Sequence, residues 1–508
     1  MKLFAIAFVS GAVSAFAFQP VGWWPLMPLA FAALCELLAR AGSLRRAMFT
    51  GWLFGLGQFA VGLNWIATAF TFQAAMPAWL GWVAVVILSL YLAVYPMLAA
   101  GLAWRIGRDK PLALVLALAG AWAVTEWLRA GLFTGFAWNP AAVTLVDTPL
   151  RGLSAGIGTY GLSAVVVLIG ALLWLAARRQ FKPALAGAAA VALAAILFWP
   201  RPPLHTPDLK PIRIVQPNIG QQDKWRPGFE EEAYRRLDAL TVKGRPLTRL
   251  VFWPEAAVTE PLEDGRLGAD RQAQAERLRA TRALAIGDVL LTGALSYSSA
   301  DGRRVTGATN SVYVLEPLGR IAGRYDKAHL VPYGEYLPMR PLLSAIGLSR
   351  LAPGNIDFAA GPGPRTIVLP GDWGRVGFQL CYEIIFSGEV ADRRSRPDFI
   401  FNPSNDAWFG RWGPPQHLAQ ARLRAAEEGL PVIRSTPTGI SALIDADGRI
   451  VRSIPWQAAG VIDSSLPAPR APTLFARAGN ILPVLLGFIL IIAGIAVGRS
   501  RRYSANNI

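Results

Sequence analysis

The chain has 508 residues, of which 53% are hydrophobic and 16% are charged, and its mean hydropathy is +0.36. This composition excludes an ordinary soluble protein and indicates a membrane protein. The net charge of +17 lies largely in connections between apolar segments, so it indicates membrane topology rather than nucleic-acid binding, and the two distant cysteines, Cys35 and Cys381, exclude a disulfide framework.

Eight apolar segments are predicted to be transmembrane helices, because about 20 helical residues span the hydrocarbon core of a bilayer. They cover residues 3–18, 24–39, 49–70, 79–104, 111–128, 153–177, 183–199 and 480–498. An alternative interpretation makes residues 1–18 a cleaved signal peptide, since the stretch AVSAFA resembles a small-residue cleavage site. Cleavage there would leave the topology of the other segments unchanged.

Lysine and arginine residues are concentrated at every second connection between these segments, which is the pattern of short cytoplasmic loops. The pattern predicts that both termini are cytoplasmic and that the long stretch after the seventh segment lies on the outer side of the membrane. We therefore expect a membrane domain of seven helices over residues 1–199, a large outer domain over residues 200–475, and an eighth helix with a cytoplasmic tail over residues 476–508.

The outer domain alternates short β-branched runs with helical patterns, which predicts a layered α/β fold. Helices are expected near residues 229–241 and 269–285. The predicted strands lie in IRIVQPN (212–218), LVFWPEAA (250–257), VLLTGALSY, SVYVLEP, RVGFQLCY, DFIFNPS and PVIRSTPTGISALI. The fold class predicted for the whole chain is thus a multi-pass helical membrane protein with an inserted α/β domain.

Three unlike reactive side chains follow predicted strands of this domain: Glu255, Lys327 and Cys381. Side chains at strand ends of layered α/β folds converge on a crevice, so we expect these three to form one site. Each alone is typical of a solvated charge or an inert buried thiol, and only the combination indicates chemistry. A carboxylate can deprotonate a thiol, and a lysine ammonium together with the backbone N–H of Tyr382 can stabilise an oxyanion. The set is complete for acyl transfer.

The three histidines of the chain, His205, His329 and His417, are too scattered to indicate a metal site. No cofactor is expected.

Several motifs carry a resemblance to known families. The stretches WPE (253–255), YDKAHLVPYGEYLP (325–338) and LCYE (380–383) resemble the Glu-Lys-Cys triad motifs of the nitrilase superfamily, whose fold is an αββα sandwich. The stretches EWLRAGLFTGFAWNP (126–140) and NPSNDAWFG (402–410), with seven spans before the outer domain and one after it, resemble the apolipoprotein N-acyltransferase family. This resemblance extends over essentially the whole chain.

The resemblance implies a role for each residue of the triad. Glu255 would be the general base and acid, Lys327 the oxyanion stabiliser, and Cys381 the nucleophile that holds the acyl group as a thioester. Glu335 would orient Lys327 or the incoming amine, while Trp225 would be a lid, an acyl contact or part of the core. The positions that match further residues important for activity in the family are Trp225, Glu335, Tyr382 and Glu383.

The reaction implied is a ping-pong transfer in the bacterial inner membrane, with the catalytic domain in the periplasm. A phospholipid, expected to be phosphatidylethanolamine, would give its sn-1 acyl chain to the cysteine, and the α-amine of a diacylglyceryl-cysteine at the N-terminus of an apolipoprotein would receive it. A monomer is expected. One alternative is a membrane-tethered nitrilase-type amidase that uses water as acceptor. Another is a non-enzymatic transporter or assembly factor, which the complete triad and the scarcity of ionisable residues in the spans disfavour.

Overall fold

A helical membrane part and a two-sheet α/β domain make up the structure, a computed structural model that describes residues 2–72, 77–202, 210–224, 226–242, 248–345, 350 and 356–500. The helices of the first part are α1 (Lys2–Ser14), α2 (Leu26–Ala39), α3 (Leu44–Gly62), α4 (Ile66–Ala69), α5 (Leu80–Leu92), α6 (Val94–Gly107), α7 (Pro111–Gly131), α8 (Ser154–Ala177) and α9 (Phe181–Leu197). The last helix, α16 (Ile481–Arg499), returns to this part from the α/β domain.

All eight predicted apolar segments are helical, but they differ in length. Among the described residues, four helical stretches are long and apolar enough to cross a membrane: Leu80–Gly107, Pro111–Gly131, Pro149–Ala177 and Ile481–Arg499. The stretch from Leu44 to Phe72 is bent by 48° and would be a fifth if it forms one span. The remaining apolar helices are shorter: Lys2–Ala17, Leu26–Ala39 and Phe181–Leu197. A count of eight spans therefore stays a prediction.

Glycines allow the membrane helices to approach each other closely. A side chain at Gly120 of α7 would collide with the carbonyl of Gly487 in α16, and one at Gly51 of α3 would collide with Ala100 in α6. Small residues at such contacts let helix backbones pack tightly where lipid supplies no hydrophobic driving force. The last helix, α16, is thereby held closely against α7.

Two β-sheets form the centre of the α/β domain. The strands are β1 (Pro211–Gln216), β2 (Leu250–Phe252), β3 (Glu263–Asp264), β4 (Val289–Ser298), β5 (Gly307–Glu316), β6 (Arg320–Asp326), β7 (Thr366–Val368), β8 (Arg375–Phe378), β9 (Phe399–Pro403), β10 (Val432–Ser435), β11 (Ser441–Ile444), β12 (Ile450–Ile454) and β13 (Gly460–Ser465). The first sheet has the order β13-β1-β2-β4-β5-β6, with β3 beside β4, and the second has the order β12-β11-β10-β9-β8-β7. The α/β class predicted for this domain is confirmed.

The sheets pack face to face, and helices cover their outer faces. Ile214 and Phe252 point into the core shared by the two sheets, whereas their neighbours Val215 and Val251 point to the outer face of the first sheet. This alternation is the period of two that a strand imposes, and burial on both faces explains why the strand sequences are continuously apolar. The remaining helices are α10 (Gln221–Lys224), α11 (Glu230–Val242), α12 (Asp270–Thr281), α13 (Arg340–Ala345), α14 (Gly413–Glu428) and α15 (Leu474–Ala478). Helices α11 and α12 cover the first sheet, and α14 covers the second.

A connection of the membrane part, residues 132–140, is seated against the α/β domain. Trp138 Nε1 donates to Gln416 Oε1 of α14 over 2.8 Å, and the hydroxyl of Tyr382 donates to the Gly135 carbonyl over 3.3 Å. His329 Nε2 lies 3.1 Å from the Thr134 carbonyl oxygen. The residues that the sequence singled out around Lys327 and Cys381 therefore lie where the two parts of the protein meet.

Candidate active site

Cys381 lies in a tight turn just beyond strand β8. It begins a short 3₁₀ helix, Cys381–Ile385, and its φ of +52° falls in the left-handed region that residues other than glycine seldom adopt. Glu383 holds this turn, because its carboxylate accepts from the backbone N–H of Leu380 over 2.7 Å. The same carboxylate accepts from the N–H groups of Ala328 and His329, at 2.7 and 3.0 Å. Glu383 thus joins the cysteine turn to the connection that carries Lys327.

Glu255 lies three residues beyond strand β2, and two amide groups fix its carboxylate. Asn310 Nδ2 donates to one oxygen over 2.8 Å, and the backbone N–H of Asn405 donates to the other over 2.7 Å. The side chain is buried, and these two bonds fix the orientation of its carboxylate. Neither asparagine was singled out from the sequence.

Lys327 follows strand β6 directly and forms a buried ion pair. Its Nζ lies 2.8 Å from Glu335 Oε2, and the lysine is 1% exposed. Asn310 Nδ2 also donates to Glu335 Oε1 over 3.0 Å, so one amide bridges the carboxylates of Glu255 and Glu335. Burial alone would lower the pKa of Lys327, but the Glu335 and Glu255 carboxylates outweigh it and raise that pKa. The ammonium is therefore charged at neutral pH.

The Cys381 thiol lies within electrostatic range of both Glu255 and Lys327. Burial raises the pKa of the thiol, the Glu255 carboxylate raises it further, and the Lys327 ammonium offsets part of the rise. The resting sulfur is accordingly protonated, and a base must remove its proton as it attacks. The arrangement can therefore perform nucleophilic catalysis with the base and the cation supplied by the same buried cluster.

A second buried network contacts the backbone of the cysteine turn. His417 Nε2 lies 3.0 Å from the Cys381 carbonyl oxygen, and Nδ1 lies 2.9 Å from Asp406 Oδ1. Arg434 contacts both oxygens of Asp406 at 2.7 Å, and all three side chains of this network are fully buried. Since a carbonyl oxygen only accepts, Nε2 carries the proton. The stretch NPSNDAWFG, which contains Asn405 and Asp406, was the available signal in the sequence.

The structure brings six of the seven sequence-predicted site residues into one buried cluster: Glu255, Lys327, Glu335, Cys381, Tyr382 and Glu383. Trp225, the seventh, lies outside the described residues. His329 contributes its backbone N–H to Glu383, and its ring stacks on Phe386 at a centroid distance of 3.8 Å. Residues that sequence reasoning missed are Lys224, Asn310, Asn405, Asp406, His417 and Arg434.

Two family models match the chain in succession. Residues 10–172 match the Apolipoprotein N-acyltransferase N-terminal domain, and residues 212–471 match Carbon-nitrogen hydrolase. The second match covers the α/β domain that holds the cluster.

Similar proteins extend over the full length of the chain. The "Apolipoprotein N-acyltransferase" of Rhodopseudomonas palustris is 35% identical, over 97% of this chain and 94% of that protein. The protein of the same name from Brucella melitensis biotype 1 is 37% identical, also over 97% and 94%. Among solved structures, Saccharomyces cerevisiae Nit3, a member of branch 10 of the nitrilase superfamily, is 18% identical over 51% of this chain and 90% of its own, with a TM-score of 0.36.

Proposed function

Since the chain belongs to the apolipoprotein N-acyltransferase family, within the carbon-nitrogen hydrolase superfamily, we propose that it transfers acyl chains through a thioester on Cys381. The protein is an acyltransferase of the bacterial inner membrane that acts in lipoprotein biosynthesis. A phospholipid is its acyl donor, and an apolipoprotein is its acceptor. The route of the acyl group through named residues is the proposal.

In the first half-reaction, Glu255 removes the proton of the Cys381 thiol while the sulfur attacks the sn-1 ester carbonyl of the phospholipid. The Lys327 ammonium and the backbone N–H of Tyr382 stabilise the oxyanion that forms. The ester C–O bond then breaks, and Glu255 returns its proton to the departing glycerol oxygen. A lysophospholipid leaves, and the acyl group stays on the sulfur.

In the second half-reaction, the α-amine of the diacylglyceryl-cysteine attacks the thioester carbonyl. Glu255 takes the amine proton, the C–S bond breaks, and the sulfur regains a proton as an amide forms. Lys327 and the Tyr382 backbone N–H stabilise the oxyanion in both half-reactions, so one site serves for both. Burial of Glu255, Lys327 and Cys381 supports amine transfer over hydrolysis, because a site that excludes water protects the thioester.

One observation carries this proposal: Glu255, Lys327 and Cys381 are all buried, and the amide of Asn310 donates both to Glu255 and to Glu335, the ion-pair partner of Lys327. The supporting roles proposed are that Glu335 orients Lys327, that Glu383 holds the cysteine turn, and that Tyr382 joins it to the membrane part. Trp225 is proposed as a lid or an acyl contact on the strength of the family resemblance alone.

We also propose the finer arrangement in the membrane. Eight spans, both termini in the cytoplasm, and a periplasmic catalytic domain over residues 200–475 are supported by eight helical apolar segments and by the basic connections between them. The membrane domain would cover residues 1–199, and the final helix and tail residues 476–508. Phosphatidylethanolamine as the preferred donor and a monomeric state complete the proposal.

The decisive test looks for the acyl-enzyme. Purified full-length protein is incubated with phosphatidylethanolamine alone, and the peptide that contains Cys381 is examined by mass spectrometry for an added acyl mass, with Cys381→Ala as the control. A synthetic diacylglyceryl lipopeptide is then added, and discharge of the adduct is timed with and without it. Absence of the adduct contradicts the ping-pong route. Discharge by water as fast as by the lipopeptide would favour a hydrolase.

A further inference from the structure

A second buried lysine lies beside the proposed catalytic residues. Lys224, the last residue of helix α10, is 8% exposed, and its Nζ donates to the backbone carbonyl of Glu255 over 3.2 Å. The same helix is anchored at its other end, where Asn405 Nδ2 donates to Gln221 Oε1 over 2.9 Å. Helix α10 therefore holds a cation against the connection that carries the general base.

Lys224 lacks the kind of partner that Lys327 has. Lys327 pairs with the Glu335 carboxylate at 2.8 Å, whereas Lys224 makes a single hydrogen bond, to a neutral carbonyl, and no ion pair in the part of the chain that the structure describes. An ammonium has three N–H groups, and removing it from water without an anion is costly. Burial lowers the pKa of Lys224 to about 8, so the group is still mostly charged at neutral pH. A buried cation with donors to spare is a site for an anion.

The Glu255 carboxylate raises the pKa of Lys224 but forms no ion pair with it among the described residues. The Glu255 oxygens accept from Asn310 Nδ2 and from the backbone of Asn405, while Lys224 reaches only the backbone oxygen of the same residue. Lys224 Nζ is hydrogen-bonded to the residue that would act as the general base, and the Glu255 and Cys381 side chains both raise its pKa, so the ammonium lies close to the point where an acyl donor is attacked. The anion must therefore come with the substrate.

The chemistry of the donor identifies that anion. In a phospholipid, the sn-1 ester and the phosphodiester are attached to the same glycerol, so a carbonyl held at Cys381 brings the phosphate within a few bonds. We infer that Lys224 binds the phosphodiester of the phospholipid donor and so positions the sn-1 ester for attack. The inference rests on the proposed role of Cys381 as acyl acceptor. A lysine suits this task because it is a compact charge that pairs with a phosphate oxygen without a fixed geometry.

The competing role for Lys224 is a second oxyanion stabiliser. An oxyanion stabiliser acts on every acyl ester, whereas a phosphate-binding residue acts only on donors that carry phosphate. Two donors therefore separate the roles: phosphatidylethanolamine, and p-nitrophenyl palmitate, which has an ester and no phosphate.

The experiment measures single-turnover acylation of Cys381 in full-length protein with each donor. Lys224→Gln and Lys224→Met remove the charge, and Lys224→Arg retains it. Arg226→Gln is the matched control, because it removes an exposed positive charge two residues away. Melting temperature in detergent shows which variants are folded.

The inference predicts that both neutral variants slow acylation by phosphatidylethanolamine about tenfold or more, as expected for loss of a hydrogen bond to a charged group. Acylation by p-nitrophenyl palmitate should stay within about twofold of wild type in Lys224→Gln, whose amide can still donate to the Glu255 carbonyl, and Lys224→Arg should recover most of the loss with phosphatidylethanolamine. Lysophosphatidylethanolamine, the product that retains the phosphate, should inhibit the neutral variants less than wild type.

Equal losses with both donors in a folded variant, or no loss with phosphatidylethanolamine, would overturn the inference alone. Failure of wild type to form the adduct with either donor would overturn the proposed function, and this inference with it.

Discussion

The imidazole of His417 and the backbone carbonyl of Cys381 are joined by a buried hydrogen bond of 3.0 Å. The nucleophile therefore depends on a side chain from helix α14, whose Nδ1 accepts from Arg434 over 3.0 Å, and Asp406 holds that arginine. Cys381 has a positive φ, a backbone conformation that persists only where surrounding contacts impose it. His417 is one of those contacts and acts as a positioning residue.

Replacement of this histidine should disturb the cysteine without removing any group that meets the substrate. We expect His417→Ala to cost about 1–3 kcal/mol of stability, because the buried Cys381 carbonyl loses its donor and Arg434 loses the Nδ1 acceptor beside it. The rate of Cys381 acylation should fall as well. Gln420→Ala, at a buried position one turn along α14, is the control and should leave that rate near wild type. Melting temperature and acylation rate measured on both variants decide between a positioning role and a merely structural one.

The charge of Lys327 predicts a particular pH dependence. The Glu335 and Glu255 carboxylates outweigh burial and raise the pKa of this lysine, so its charge, and the stability that its ion pair contributes, are lost only when the pH passes the raised value. The Lys327 ammonium should therefore stay charged from about pH 7 to pH 10, and the rate of Cys381 acylation should not decline through loss of this charge in that range. In Glu335→Gln, only the Glu255 carboxylate remains to offset the effect of burial, so the pKa of Lys327 should fall. The alkaline decline in the acylation rate should then occur about one pH unit lower, or more.

The pH profile is best measured with an uncharged donor, p-nitrophenyl palmitate, so that donor ionisation does not contribute. Glu316→Gln is the matched control, because it removes a carboxylate from another ion pair, with Arg320. Glu316 lies at the end of strand β5 that is remote from Asn310 and the candidate site. An alkaline decline at the same pH in Glu335→Gln and wild type would contradict the assignment of Glu335 as the partner that maintains the lysine charge.

The contact between Trp138 and Gln416 should contribute to stability across the two parts of the protein. Trp138 is fully buried and donates to Gln416 over 2.8 Å. Trp138→Phe leaves the acceptor unsatisfied and opens space, so we expect a loss of about 1–3 kcal/mol and a lower melting temperature in detergent. Trp82→Phe, at a position that is 59% exposed, should change stability by less than about 0.5 kcal/mol. Equal effects of the two substitutions would refute the role of this contact.

The proposed topology can be tested by labelling single cysteines in cells. Both native cysteines are buried, so a Cys35→Ala background should react little with a membrane-impermeant maleimide. Asp301→Cys places a thiol at an exposed position of the α/β domain, and Arg45→Cys places one at an exposed position in the first turn of α3, beside the connection from α2. We expect the first to be labelled in intact spheroplasts and the second only after lysis. The reverse pattern would invert the topology.

The sequence predicted those parts of the fold that follow from local pattern. Apolar length predicted the helices, and continuous β-branched runs predicted strands that are buried on both faces, such as β2 and β9. The edge strand β12 was not among them, since four of its five residues are exposed and carry no burial signal. Three further apolar helices have the composition of membrane spans but are shorter than the four long ones. Because the apolar pattern alone does not separate such helices from spans, it did not determine the number of membrane crossings.

For the site, chemically reactive residue types were recognisable, but the residues that orient them were not. Asn310 lies inside strand β5, and His417 lies on a helix far along the chain from Cys381. Their importance comes from contacts across 55 and 36 residues, which no local spacing reveals. An asparagine in a strand and a histidine in a helix are common, and only the fold shows what each one holds.

The packing of helix α14 bears on whether the α/β domain can be separated from the membrane part. Ala421 of α14 shares one hydrophobic cluster with Phe59 and Trp138 of the membrane part, and Tyr382 of the cysteine turn belongs to the same cluster. Excision of the α/β domain would leave an apolar surface beside the nucleophile exposed to water. The domain therefore has the carbon-nitrogen hydrolase fold but needs the membrane helices to bury part of its surface. Inhibitors or assays developed on an isolated fragment would address a different surface.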